Sequence, residues 1–152
     1  LYLCESCQTK VTLTFFAEGI SRPQGSKRSL GNGCMIEASP HIKTWRQDVR
    51  SAAQSHRPAM WDTVSPMSVS ISFCFVRPKS HYNSKGLLTA KAPTLATSRS
   101  IGDIDKLIRG LLDALTTVLF DDDSQVVEVS AIKRYCTATE RPGAIITCTH
   151  LK

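Results

Sequence analysis

Apolar and polar residues alternate in two stretches of the chain. In residues 11–17 (VTLTFFA), Val11, Leu13 and Phe15 fall on one side and Thr12 and Thr14 on the other, the period of a half-buried strand. In residues 68–76 (SVSISFCFV), Val69, Ile71, Phe73 and Phe75 alternate with Ser68, Ser70, Ser72 and Cys74. One face of this strand meets the core and the other is polar. That argues against Phe73 and Phe75 as base-stacking platforms, and Cys74 reads as a small buried hydrophobe. Further strands are expected at residues 125–132 and 144–149.

Helical spacing appears twice. In residues 41–56, Ile42, Trp45, Val49, Ala52 and Ala53 share one face, while Lys43, Arg46, Asp48 and Arg50 point outward. Ser39 would cap this helix and Pro40 would occupy its first turn. In residues 103–115, Ile104, Leu107, Ile108, Leu111, Leu112 and Leu115 form a broad buried face, opposite Lys106, Arg109 and Asp113.

Two polar stretches break these patterns. Residues 21–33 (SRPQGSKRSLGNG) carry Arg22, Lys27 and Arg28 among glycines. Such a loop either contacts phosphate, with backbone close and charge at hand, or is a solvated turn. Residues 77–100 carry Arg77, Lys79, His81, Lys85, Lys91 and Arg99, with Pro78 and Pro93 and no useful period. This segment is expected to lie along DNA and to order on binding, the plain alternative being a soluble insertion. The element order gives an α+β fold, a small single domain with helices packed on one face of a mixed sheet. The domain is assigned to residues 11–152, with residues 1–10 as an N-terminal tail.

Composition sharpens this picture. The chain has 152 residues, a net charge of +6 and a pI near 9.2, which favours an anionic partner, nucleic acid first. No apolar run is long enough for a membrane span, and LYLCESCQTK lacks the basic start and apolar core of a signal peptide. A cytoplasmic protein is expected. Of the cysteines, only Cys4 and Cys7 form a CxxC pair. A zinc site needs four ligands, and only Cys34 and His41 offer themselves as completion.

The acidic residues are unevenly placed. Between Asp103 and Asp123 lie six carboxylates (Asp103, Asp105, Asp113, Asp121, Asp122 and Asp123) against two cations, Lys106 and Arg109. A small acidic centre on a basic body suggests a polyanion held by the body and a divalent cation held by the centre. Each group also has a bland reading. Asp103 caps the helix, Asp105 complements its dipole, and Asp121, Asp122 and Asp123 form a solvated turn. A helix folding back onto the following strand would bring the two clusters together. Mg²⁺ takes one or two carboxylates with water and phosphate, and Arg109, one turn beyond Asp105, would stabilise charge on the phosphate. Both readings stay open on spacing alone.

The same residues carry a resemblance. D-x-D, a helix containing LDAL, and DDSQVV before a strand resemble the RusA family of Holliday-junction resolvases, small endonucleases of bacteria and phages. PQGSKR after the first strand, the helix around Trp45 and the strand before the basic loop extend the likeness over most of the chain from Val11. The resemblance implies a homodimer that recognises four-way DNA junctions by shape and makes paired nicks with Mg²⁺, or Mn²⁺ in its place, in recombination and repair. It places the catalytic aspartates on Asp103, Asp105 and Asp123, with Asp122 beside the third in the metal set. The family's catalytic lysine falls on Arg109, which keeps the charge but donates protons poorly. Lys106 stands where members often have asparagine and offers an ammonium nearby. Lys27, Arg28, Lys79, Lys85, Lys106 and Lys133 are the expected DNA contacts. Bacterial or phage coding and no membrane association follow. A nuclease of flaps or other branched DNA, and a non-catalytic junction binder, are the alternatives.

Overall fold

The alternation in the strand around Phe73 organises the molecule, because both of its edges are paired. The computed structural model describes residues 10–25, 27–29, 31–33, 35–37 and 41–151, with 27–29 and 35–37 described for backbone alone. The strands are β1 (Thr12–Glu18), β2 (Lys27–Ser29), β3 (Met35–Glu37), β4 (Met67–Phe75), β5 (Val126–Tyr135) and β6 (Gly143–His150). The helices are α1 (Ile42–His56) and α2 (Ile104–Leu115). The main sheet has the order β1-β6-β4-β5, and β2 and β3 form a separate antiparallel pair. β6 is antiparallel to β1 and β4, whereas β4 and β5 are parallel. Parallel neighbours need a crossover, and α2 lies in the connection between them.

Both helices pack on one face, as the α+β reading expects. Phe15, Val69, Ile71, Phe73 and Ile146 from the sheet meet Trp45, Val49, Leu107, Leu111 and Leu115 from the helices. Trp45 is core, 1% exposed. Ile104 departs from the expected buried face: it is the first residue of α2 and is 38% exposed.

The expectation that Arg46 and Arg50 point outward is corrected. Arg50 donates to the carbonyl of Thr116 at 2.9 Å and to Thr117 Oγ1 at 2.8 Å, and Arg57 donates to the carbonyl of Val118 at 2.9 Å. A helix leaves its last carbonyls without partners, and α1 supplies guanidinium donors to the turn after α2. The same turn holds Thr117 at φ 70, unusual for a β-branched residue. The expected cap residues Ser39 and Pro40 lie outside the described residues, and His41 is the N-cap without a side-chain bond.

Residues 77–100 are not a free insertion. Ala96 N–H bonds to the carbonyl of Lys133, and Tyr135 N–H to that of Thr94. Arg77 lies 5.4 Å from the Tyr135 ring centroid and donates to the carbonyl of Pro93 at 2.7 Å, while His81 meets the same ring edge-on. The segment lies along the outer edge of β5 without needing DNA to order it.

On the far face of the sheet, hydroxyl pairs link Thr12 to Thr149, Thr14 to Thr147 and Ser70 to Ser130. Arg134 forms a two-pronged pair with Glu140 at 2.7 and 2.6 Å. That guanidinium, helped by the Thr137 N–H, holds the Glu140 carboxyl at about 2 rather than its usual 4.5. A depressed carboxylate pKa stabilises the fold above the unfolded value and loses that contribution as pH falls through the folded one. Glu140→Gln is therefore expected to lower stability at pH 7 by roughly 1–2 kcal/mol, after allowing for solvent screening. Urea unfolding should show the gap between variant and wild type closing from pH 4.5 towards about 2.

Candidate active site

α2 begins at a turn that requires glycine. Gly102 has φ +98, and a Cβ there would stand 2.7 Å from Pro23 Cγ, so only glycine lets the chain pass the PQG loop this closely. Lys133 Nζ donates to the Gly102 carbonyl at 2.8 Å. The PQG loop is itself tied to α2. Gln24 N–H bonds to the carbonyl of Lys106 at 3.0 Å, and Gln24 Nε2 donates to Asp113 Oδ2 at 2.6 Å. Arg46 donates to Gln24 Oε1 at 3.2 Å. Asp113 thus braces the loop. The sequence placed Gln24 only within the PQGSKR likeness, and its bond to Asp113 went unseen because it joins residues distant in the chain.

These braces present Asp103 and Asp105 at the mouth of α2. Asp103 occupies the N-cap position, yet its side chain makes no capping bond. Its carboxylate is 74% exposed and stands 3.6 Å from Lys106 Nζ. Asp105 is exposed in the first turn. Two hard oxygen donors beside helix N–H groups and an ammonium suit a divalent cation shared with a phosphate. Lys106, rather than Arg109, has its charge against Asp103. Arg109 is exposed one turn on, with no bonded partner among the described residues.

The second acidic cluster is a locked turn. Asp122 Oδ1 accepts from Ser124 N–H at 2.8 Å, and Gln125 Oε1 accepts from the N–H groups of Asp121 and Asp122 at 2.9 Å each. Gln125 Nε2 donates to the carbonyl of Thr63 at 2.8 Å. The Ser124 N–H holds the Asp122 carboxyl below its ordinary range. Asp122 therefore shapes the turn and leaves Asp123 exposed beside it. The DDSQ pattern thus has a structural reason of its own.

The two clusters do not meet within one chain. β5 does fold back alongside α2, as expected, but this puts Asp123 at the opposite end from Asp103. The helix spans about 18 Å at 1.5 Å per residue. From Asp123 to Lys133 the chain covers roughly 30 Å at strand rise, and Lys133 is the residue bonded to Gly102. Asp123 thus lies on the order of 20 Å from the Asp103 pair. Among the described residues no three Asp, Glu, His or Cys side chains converge as metal ligands.

The remaining expected contacts are scattered. Lys79 and Lys85 are exposed on the segment along β5. Lys133 is partly buried and engaged with Gly102, a positioning role. Lys27 and Arg28 fall on β2, where side chains lie outside the description, and Cys4, Cys7 and Cys34 lie outside the described residues. Cys74, Cys136 and Cys148 are buried free thiols, and burial pushes Cys148 up to about 12. No helix among the described residues is long and apolar enough to cross a membrane.

Residues 19–148 match the family described as endodeoxyribonuclease RusA. The chain is also 32% identical over 128 residues to uncharacterized protein YqaN of Bacillus subtilis (strain 168), covering 82% of this chain and 87% of that protein.

Proposed function

Because the chain belongs to the RusA family of endodeoxyribonucleases, we propose that it nicks four-way DNA junctions in a reaction that depends on a divalent cation. The observation that supports this most directly is the exposed Asp103 and Asp105 at the mouth of α2, with Lys106 Nζ 3.6 Å from Asp103. Asp103 and Asp105 would hold Mg²⁺ or Mn²⁺, with Asp123 as the third carboxylate of the centre. Such an ion, when bound, makes water a better nucleophile at neutral pH and neutralises charge developing on the phosphate.

The protein's own residues do the rest. Lys106 and Arg109 lie on the exposed side of α2 and meet the negative charge of the scissile phosphate. Lys133 positions the pair by holding the Gly102 carbonyl. Lys79 and Lys85 bind backbone phosphates, which makes affinity fall steeply with salt. A two-fold homodimer suits a substrate with two equivalent strands to cut.

Labelled four-way junctions, flaps and linear duplexes, incubated with Mg²⁺, Mn²⁺ or EDTA, test this reading. The expected result is paired nicks in junctions with either metal, none with EDTA, and little cutting of linear duplex. Faster cutting of flaps would assign a different branched substrate. Tight junction binding without cutting under either metal would make the chain a non-catalytic binder.

A further inference from the structure

A cavity of about 270 Å³ opens beside the turn that leads into α2, and the proposed reaction makes no use of it. Its walls come from the loop after β1, the C-terminal end of β4, residues 100–101 and Pro142. Ile20, Phe75, Val76, Ile101 and Pro142 make it largely apolar. Ile20 is 56% exposed and Val76 65%, so two large aliphatic side chains stand bare beside the opening. The walls are held by backbone bonds. Gly19 N–H bonds to the carbonyl of Pro142 at 3.0 Å, and Ile101 N–H to that of Ser98 at 3.1 Å. Two polar residues interrupt the apolar lining. Ser21 is 2% exposed, and its Oγ is buried without a hydrogen-bond partner, although buried hydroxyls are nearly always paired. Arg22 is half-buried, and its guanidinium has no bonded partner among the described residues.

We propose that this cavity receives one unpaired nucleobase of the strand being cut and favours a base that carries a carbonyl oxygen over adenine. The inference rests on the reading of the chain as a junction-nicking enzyme and adds a subsite to it. Ile101 lies two residues before Asp103, so their Cα atoms stand within roughly 7 Å of each other. Bases along one strand follow at about 3.4 Å, which brings a nucleotide one or two steps from the scissile phosphate within reach of the opening. A base offers apolar faces to the walls and a hydrogen-bonding edge to Ser21 and Arg22. Arginine donates and never accepts. Guanine, cytosine and thymine meet it with a carbonyl oxygen, whereas adenine offers an amino donor beside ring nitrogens. The guanidinium also complements the charge of the strand. A paired base is shut out, and leaving the stack costs least where a branch has already broken the pairing. The cavity therefore adds to the preference for branched over linear DNA. An apolar protein side chain would meet the same walls but would leave the guanidinium without an acceptor.

Junctions that differ only in the nucleotides flanking the crossover test this, with A, C, G, T or an abasic residue at each in turn. With Mg²⁺, nicking is expected to be about tenfold or more slower where adenine or the abasic residue stands at one fixed position beside the nick. Arg22→Ala should remove that discrimination. Ser21→Ala should weaken it without lowering the thermal midpoint, since the hydroxyl has no partner within the protein. Val76→Trp, at an exposed position, should fill the opening and flatten the preference. A fluorescent cytosine analogue at the same positions, read in EDTA, reports unstacking apart from cleavage. Its emission is expected to change on binding at one position, and to stay unchanged with Arg22→Ala and with Val76→Trp. Equal nicking by the wild type whatever the base overturns the subsite and leaves the reaction standing. If no junction is cut, emission unchanged at every position overturns the subsite, and a change at one position upholds it in a non-catalytic binder. A chain that neither cuts nor binds junctions overturns the subsite and the reading beneath it together.

Discussion

Asp105→Asn is expected to slow junction cleavage by about a thousandfold or more, while the protein stays folded and still binds the junction. The loss of one anionic oxygen donor from a metal-assisted phosphoryl centre removes several kcal/mol of transition-state stabilisation, and each 1.36 kcal/mol is tenfold in rate. Asn keeps the shape of the side chain but not its charge. Asp105 is exposed and makes no packing contribution to the core. Its favourable placement near the helix N-terminus is worth about 0.3–1 kcal/mol, so the thermal midpoint should move by only a few degrees. Single-turnover cleavage, junction affinity and a thermal melt separate these quantities. Wild-type cleavage by this variant would remove Asp105 from the centre.

The largest effect on stability is expected at Phe73. Its side chain is fully buried, and β4 around it is paired to Ala144 of β6 on one side and Lys133 of β5 on the other. Truncation to Ala removes the contacts of a whole ring and leaves a cavity that a sheet paired on both edges cannot close. The cost is about 3–5 kcal/mol, against a total of about 5–15 kcal/mol for a domain of this kind. The urea midpoint of Phe73→Ala should fall accordingly with an unchanged slope. A shift below about 1 kcal/mol would mean that the core repacks around the gap. Ser70 lies on the opposite, open face of the same strand, where Ala should cost little.

The β4 comparison shows why much of the fold was legible in one dimension. Side-chain direction in a strand alternates by geometry, so Val69, Ile71 and Phe73 declare their face without reference to any other element. The spacing of Ile42, Trp45 and Val49 does the same for α1. The β2 and β3 pair went unseen because three-residue strands are too short to show a period. The segment 77–100 was misjudged as waiting for DNA because its anchors, Ala96 on Lys133 and Arg77 on Tyr135, join residues distant in sequence. Its polarity described its solvent side correctly and hid its attachment.

The sequence by itself determined the two helices and the four strands of the main sheet, the α+β class, the net basic charge and the family, through D-x-D, LDAL and DDSQVV in fixed order. These are local properties, set by periodicity and by residue type. Tertiary structure alone decided the strand order, the capping of α2 by Arg50, the bracing of the PQG loop by Asp113, and the engagement of Lys133 with Gly102. It also decided that Asp103 and Asp123 stand at opposite ends of α2. A helix and the strand that follows it can run side by side in opposite directions, and residues near in sequence then end far apart in space. Sequence spacing gives the number of residues between two carboxylates, whereas the rise and direction of the elements between them set the distance.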